Sequence, residues 1–156
     1  PTDKKLICGE MVTIDFGACF DGYMSDITRT LWLGDISDNL KEIWNAVESV
    51  QQACVDAVRP GITAKSLDNL QREQFAELGL SPYICHSLGH GVGLEIHEAP
   101  YANTRYTEML KENMTLTVEP GIYLPDKFGV RIEDMVLVTD KGYKNFVNIP
   151  KKLNIL

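Results

Sequence analysis

The chain has 156 residues, 44% of them hydrophobic, and a formal charge of −7; that is long enough for one domain with a hydrophobic core, and the acidic balance argues against nucleic acid or an anionic membrane surface as the main partner. No apolar run reaches the roughly 20 residues of a membrane span, and no signal-peptide pattern opens the chain. The cysteines Cys8, Cys19, Cys54 and Cys85 are scattered, without a CxxC pair, and read as reduced thiols of a soluble, cytoplasmic protein.

The opening Pro-Thr-Asp-Lys-Lys carries no methionine and runs almost at once into a strand pattern, which suggests a fragment or a processed chain. From Met11 to Phe16, Val12, Ile14 and Phe16 alternate with Met11, Thr13 and Asp15, the period of a strand. Asp21-Gly22 is a tight-turn signal, and Tyr23 to Trp32 is rich in Thr, Ile, Leu and aromatic residues, so residues 11–33 are expected to form a β-hairpin. Ser37 can cap a helix that runs to about Val58, its apolar positions recurring at three- and four-residue steps until Pro60-Gly61 ends it. Thr63 can cap a second, shorter helix, with Gly79 placed to stop it. Residues 83–100 are glycine-rich and hold every histidine, and they read as irregular. Residues 115–119 and 130–139 alternate again as strands, with turns at Pro120-Gly121 and across 125–129. Each hairpin carries two acids, a hint of a duplicated unit.

A two-residue turn at 21–22 pairs Phe20 with Tyr23 and sets Asp15 opposite Thr28. Asp26 then lies diagonally across from Asp15, roughly 7–8 Å away at the backbone, close enough for two carboxylates to share a cation. A bulge at Gly17–Phe20 would change that register. Acids on strands are most often solvated surface groups. Here Asp15 lies between Ile14 and Phe16, Glu119 ends Leu-Thr-Val-Glu, and Glu133 sits within Val-Arg-Ile-Glu-Asp-Met-Val-Leu-Val. Strands this apolar are usually buried, and a buried carboxylate needs a partner charge or a metal. Only Arg29 and Arg131 are near in sequence.

All three histidines fall within residues 86–97, beside Gly89, Gly91 and Gly93, where the backbone can approach a ligand closely. The segment lacks dinucleotide-fingerprint spacing, the phosphate-loop Lys-Ser/Thr and an HExxH zinc helix. Cys85 beside His86 is a weak candidate thiol nucleophile, since neighbours in an extended segment point to opposite faces. Four carboxylates and one neutral imidazole balance two divalent cations. Mostly oxygen donors with one nitrogen suit manganese, cobalt, iron or zinc better than calcium or copper(I). A two-metal site activates water at neutral pH and polarises a substrate carbonyl, which is hydrolase chemistry.

Val-Thr-Ile-Asp-Phe-Gly-Ala, Gly-Tyr-Met-Ser-Asp-Ile-Thr-Arg-Thr, His-Ser-Leu-Gly-His-Gly-Val-Gly-Leu-Glu-Ile-His-Glu, Thr-Val-Glu-Pro-Gly-Ile-Tyr and Gly-Val-Arg-Ile-Glu-Asp-Met-Val-Leu-Val-Thr together resemble the pita-bread metallopeptidases. That family includes methionine aminopeptidases, prolidases and aminopeptidase P enzymes, and the likeness runs through nearly the whole chain. It implies an α+β fold, a curved antiparallel sheet covered by helices. It also implies two divalent ions, manganese first among them, with cobalt, zinc or iron as alternatives. Asp15 would chelate one ion, Asp26 and Glu133 would bridge both, and His90 and Glu119 would hold the second. Glu119 would also be the acid/base. His97 would contact the substrate carbonyl or tetrahedral intermediate, and Arg131 would orient a bridging carboxylate, a simple cross-strand salt bridge being the equal alternative for that residue. His86, four residues before His90, is typical of the Xaa-Pro-cleaving enzymes, where it lies near the substrate.

The resemblance therefore implies a metallo-exopeptidase acting on a proline-containing dipeptide or peptide N-terminus. A non-catalytic peptide-binding module and a methionine aminopeptidase are the competing readings. The family's catalytic domain begins further upstream, with two helices, strands and a substrate-binding histidine that have no counterpart here. Residues 1–156 are therefore expected to be a C-terminal portion of that domain, associated with another copy or with the upstream part, and of doubtful activity alone.

Overall fold

Asp21 and Gly22 both adopt positive φ, 49° and 85°, the conformation that lets a two-residue turn follow the twist of the strands it joins. The computed structural model describes residues 3–151 and 154–155, and its first hairpin is built on that turn. The strands are β1 (Met11–Phe16), β2 (Cys19–Phe20), β3 (Tyr23–Met24) and β4 (Ile27–Leu33). β2 pairs with β3, Phe20 opposite Tyr23, and β1 with β4, Asp15 opposite Thr28. The expected register holds through both ladders without a bulge. Gly17 permits this, because a Cβ there would lie 2.0 Å from the Ser25 carbonyl oxygen.

The strands of this hairpin differ in burial. β4 is enclosed on both faces from Ile27 to Trp32, whereas β1 is exposed from Thr13 to Phe16. The expectation that apolar neighbours bury Asp15 is corrected here: Ile14 and Phe16 are 41% and 49% exposed, so they do not shield it.

α1 (Asp38–Asp56) starts where the Ser37 side chain accepts from the Leu40 N–H, and α2 (Ala64–Glu77) where Thr63 accepts from Ser66. Gly79, at φ 71°, follows the second helix as expected. α1 buries Trp44, Val47, Val50 and Cys54, and α2 buries Leu67 and Phe75. The Trp44 indole stacks edge-on against Trp32 at 5.6 Å and donates to the Thr30 carbonyl at 3.0 Å, tying α1 to β4. Among the described residues no helix is long and apolar enough to cross a membrane.

The second half departs from expectation in three places. Residues 83–100 are not wholly irregular: β5 (Gly89–Gly91) pairs with β6 (Glu98–Ala102), with a register shift after His90. β7 (Thr115–Val118) is followed by a hairpin of β8 (Gly121–Leu124) and β9 (Phe128–Arg131), so the Pro120-Gly121 turn opens a strand. The strand expected over 130–139 is broken at Ile132–Glu133, after which β10 (Asp134–Val138) returns to pair with β7. β11 (Tyr143–Asn145) flanks β10, and β12 (Asn154–Ile155) runs parallel to β4. The inserted β8–β9 hairpin and the break before β10 bring Arg131 and Glu133 beside β4.

Candidate metal centre

Asp26 stands where the first hairpin's ladder opens, His90 on β5, and Glu133 in the break between β9 and β10. Distant in sequence, these three each offer a donor atom within 4.8 Å of the others. The His90 Nε2 lies 3.8 Å from Asp26 Oδ2 and 3.2 Å from Glu119 Oε1, which adds the acid at the end of β7. The Nδ1 of His90 is 3.1 Å from the Gly91 carbonyl. A carbonyl only accepts, so Nδ1 carries a hydrogen and Nε2 points into the cluster, donating to Glu119 when the ring is protonated and offering a lone pair to a cation when it is neutral. The Thr117 hydroxyl holds the geometry from below, accepting from the His90 N–H at 3.1 Å and donating to Glu119 Oε1 at 3.1 Å. Gly89 allows that approach, since a Cβ there would lie 2.1 Å from the Thr117 carbonyl oxygen.

Asp15 stands apart. Its side chain is 53% exposed and its carboxylate is drawn to the Arg131 guanidinium at 2.5 Å. Arg131 also donates from Nε to Thr28 Oγ1 at 3.1 Å, and the Thr28 hydroxyl donates to Glu133 Oε2 at 2.6 Å. Arg131 thus pairs across strands with Asp15, the salt bridge expected as one of its two readings, and is linked through the Thr28 hydroxyl to Glu133.

The electrostatics are those of too many negative charges in one place. Burial pushes the Glu133 carboxyl up to about 8, with the Glu119, Asp26 and Asp15 charges adding to it against the Thr28 hydrogen bond. Its second oxygen, Oε1, is buried with no hydrogen-bond partner among the described residues. Asp26 is also raised, by burial first and by the Asp15 charge second. Burial alone would lower the His90 imidazole, but the hydrogen bond to Glu119, the Gly91 carbonyl and the neighbouring charges outweigh it and raise it. A buried carboxylate with an unpartnered oxygen, gathered with a second carboxylate and an imidazole within 4.8 Å, is a donor set short of a cation. The residues fit a divalent ion.

Beside this cluster opens a cavity of about 350 Å³ lined by His86, Ser87, Gly89, His90, His97, Tyr101 and Glu119. The His97 ring stands edge-on to His90 at 4.2 Å. His86 donates from Nδ1 to the Ser87 carbonyl at 2.8 Å, leaving Nε2 to accept from the Tyr123 hydroxyl at 2.8 Å. Tyr123 in turn accepts from Arg131 at 2.8 Å, so a chain of hydrogen bonds runs from Asp15 through Arg131 and Tyr123 to His86. Burial raises the Tyr123 phenol, against the pull of Arg131, which keeps its proton in place at neutral pH.

Sequence reasoning missed Thr28, Thr117, Tyr101 and Tyr123. Thr28 was within reach, since the hairpin register sets it opposite Asp15. Tyr123 lay in the motif Thr-Val-Glu-Pro-Gly-Ile-Tyr, between the two expected turns, with no role assigned to it.

Residues 1–140 match the model of metallopeptidase family M24. The Xaa-Pro dipeptidase of Pyrococcus furiosus is 47% identical over 152 residues, which are 97% of this chain and 44% of that protein. Among solved structures, an Xaa-Pro dipeptidase from Bacillus anthracis superposes with a TM-score of 0.96 at 47% identity, over 99% of this chain and 44% of its own. An X-Pro aminopeptidase from Thermotoga maritima does so with a TM-score of 0.95 at 40% identity, over 99% and 44%. The chain thus spans less than half the length of the relatives it matches, and the expected partial pita-bread fold is borne out.

Proposed function

The chain belongs to metallopeptidase family M24, and from that premise we propose that it carries the metal-dependent half of an exopeptidase that hydrolyses the bond before a proline. The observation that carries this reading is the buried, unpartnered Oε1 of Glu133 beside Asp26 and His90. The names of the relatives support the substrate class: the Pyrococcus furiosus protein is an Xaa-Pro dipeptidase at 47% identity.

In this reading Asp15, Asp26, His90, Glu119 and Glu133 would hold two divalent ions, Asp26 and Glu133 being the acids both ions would share. Manganese is the preferred metal, and cobalt, zinc and iron suit the same donors. When bound, the ions lower the pKa of water and polarise the scissile carbonyl. Glu119 takes the proton of the attacking water and returns it to the leaving proline nitrogen. His97 donates to the carbonyl oxygen as negative charge develops there. His86, oriented by Ser87 and Tyr123, lies near the substrate in the same cavity. Arg131 anchors the Asp15 carboxylate and steadies Glu133 through Thr28. Exposed Ile14, Phe16 and Phe20 form a face for association with a second copy or with further upstream polypeptide, in a cytoplasmic protein.

The test is reconstitution of the intact protein with manganese. Two equivalents bound, and release of proline from an Xaa-Pro dipeptide or of the first residue from an Xaa-Pro-Xaa peptide, are expected, with both lost on Glu133→Ala. Less than one equivalent, unchanged by that substitution, would overturn the reading. Preferential release of methionine from a Met-Ala peptide would move the protein to the methionine aminopeptidase branch.

A further inference from the structure

Behind the candidate centre lies a charged pair with no part in the roles above. Arg29 on β4 and Asp134 on β10 meet at 2.7 Å, their side chains 3% and 1% exposed. A buried ion pair is weak evidence for stability, because apolar residues of similar volume often serve as well. The hydrogen bonds around it point to another use.

All five guanidinium N–H groups of Arg29 are committed. Nε donates to the Pro150 carbonyl at 3.2 Å. One terminal nitrogen donates to the carbonyls of Thr28 at 3.0 Å and Glu133 at 2.5 Å. The other donates to Asp134 Oδ1 at 2.7 Å and the Ile149 carbonyl at 2.9 Å. Asp134 is fixed from its far side, accepting at Oδ2 from Gln51 at 3.2 Å and Asn145 at 2.9 Å.

Glu133 sits where the chain leaves β9 and has not yet entered β10. Its N–H goes to the Thr28 carbonyl at 3.0 Å, and its own carbonyl goes to Arg29. The two carbonyls that Arg29 grips with one nitrogen thus belong to Glu133 and to Thr28, whose hydroxyl holds the Glu133 carboxylate at 2.6 Å. We infer that Arg29 and Asp134 are a positioning pair: they fix the Glu133 peptide in the strand break and so set where its carboxylate enters the metal centre.

This rests on the five-residue metal cradle proposed above, and the experiment separates the two. Manganese binding to the intact protein is measured by titration calorimetry, pairing of the ions by electron paramagnetic resonance, and the fold by circular dichroism and melting temperature. Arg29→Lys keeps the charge opposite Asp134 but loses the planar fork that reaches two carbonyls from one nitrogen. It is expected to weaken manganese binding by about 10–100-fold, the range for residues that orient ligands, and to convert a coupled two-ion spectrum to that of isolated ions. The double substitution Arg29→Met with Asp134→Leu removes the charges together, so the fold does not depend on a stranded partner. If it melts with the parent yet binds manganese as weakly as Arg29→Lys, the pair acts on the ligand. If both variants bind as tightly as the parent, with its spectrum, the pair serves only the core and the inference is wrong. A parent that takes up no manganese removes the cradle itself, a different result from a parent that binds two ions and variants that match it.

Discussion

Asp15 and Glu133 are both candidate ligands of one centre, yet they meet their charge in different ways. Asp15 projects from the exposed end of β1, 53% open to solvent, with the Arg131 guanidinium at 2.5 Å. Glu133 is 2% exposed, has one hydroxyl donor at 2.6 Å, and leaves its other oxygen without a partner. Solvent and the Arg131 guanidinium meet the charge of the first. The second is ionised at neutral pH only at a cost, unless a cation arrives. Asp15 is therefore answered at the surface by solvent and an arginine, while the break before β10 holds a carboxylate whose charge the fold itself does not neutralise.

The strongest break in this comparison is Glu133→Gln. Removing the buried charge is expected to raise the melting temperature of the metal-free protein at pH 8 while weakening manganese binding by more than about 100-fold, beyond the range for residues that only support ligands. Calorimetry of the two proteins checks both signs; a metal-free variant that melts lower than the parent at pH 8 would contradict the unpartnered-charge account.

Next in size is the pH dependence. The folded Glu133 value, about 8, lies above the unfolded carboxylate value, so between the two the native state binds the extra proton. Stability of the metal-free protein then falls as pH rises across that window, by a few kcal/mol in order of magnitude. Asp26 is raised as well, and a raised His90 likewise contributes stability in acid that is lost as pH rises through its folded value. Melting curves from pH 5 to 8 in chelator should slope downward. With manganese the slope should reverse, because the ligands bind metal deprotonated.

A smaller effect separates the histidine strand from both acids. Gly89→Ala drives a methyl into the Thr117 carbonyl, 2.1 Å from the ideal Cβ position. It should cost about 1–3 kcal/mol by forced displacement, measured by urea unfolding, and displace His90. Smallest is Asp15→Asn in the metal-free state. An ion pair this exposed is worth roughly 0–1 kcal/mol, so urea unfolding should barely change while manganese binding weakens. A loss comparable to that of Gly89→Ala would mean that Asp15 is a structural group.

Local signals carried much of this architecture into the sequence. The Asp21-Gly22 turn set the register that brings Asp15 opposite Thr28, and Ser37 and Thr63 marked both helix starts. What escaped depends on long-range contact. The three-residue β5 is too short and glycine-rich to show a strand period. The run around Glu133 alternates as one strand, and only the pairing of β10 with β7 and of β9 with β8 splits it. Asp15, Glu119 and Glu133 stood out as acids in apolar runs, Asp26 by the hairpin register and His90 by the glycine-rich histidine cluster, but the exposure of Asp15 could not be inferred from its neighbours Ile14 and Phe16. Tyr123 and the Arg29–Asp134 pair are ordinary strand residues until the hairpins are laid against each other.

The reach of Arg29 along the chain has a bearing on biosynthesis. Its partners at Asp134, Ile149 and Pro150 lie 105, 120 and 121 residues downstream. At ribosomal speeds of about 5–20 residues per second, roughly 6–24 s separate the emergence of the guanidinium from that of its last acceptor. The first hairpin and both helices can take shape in that interval, but the seat of Glu133 closes only when Pro150 has left the tunnel. Nascent chains arrested at staged lengths should therefore acquire tight manganese binding only after Pro150 has cleared the ribosome.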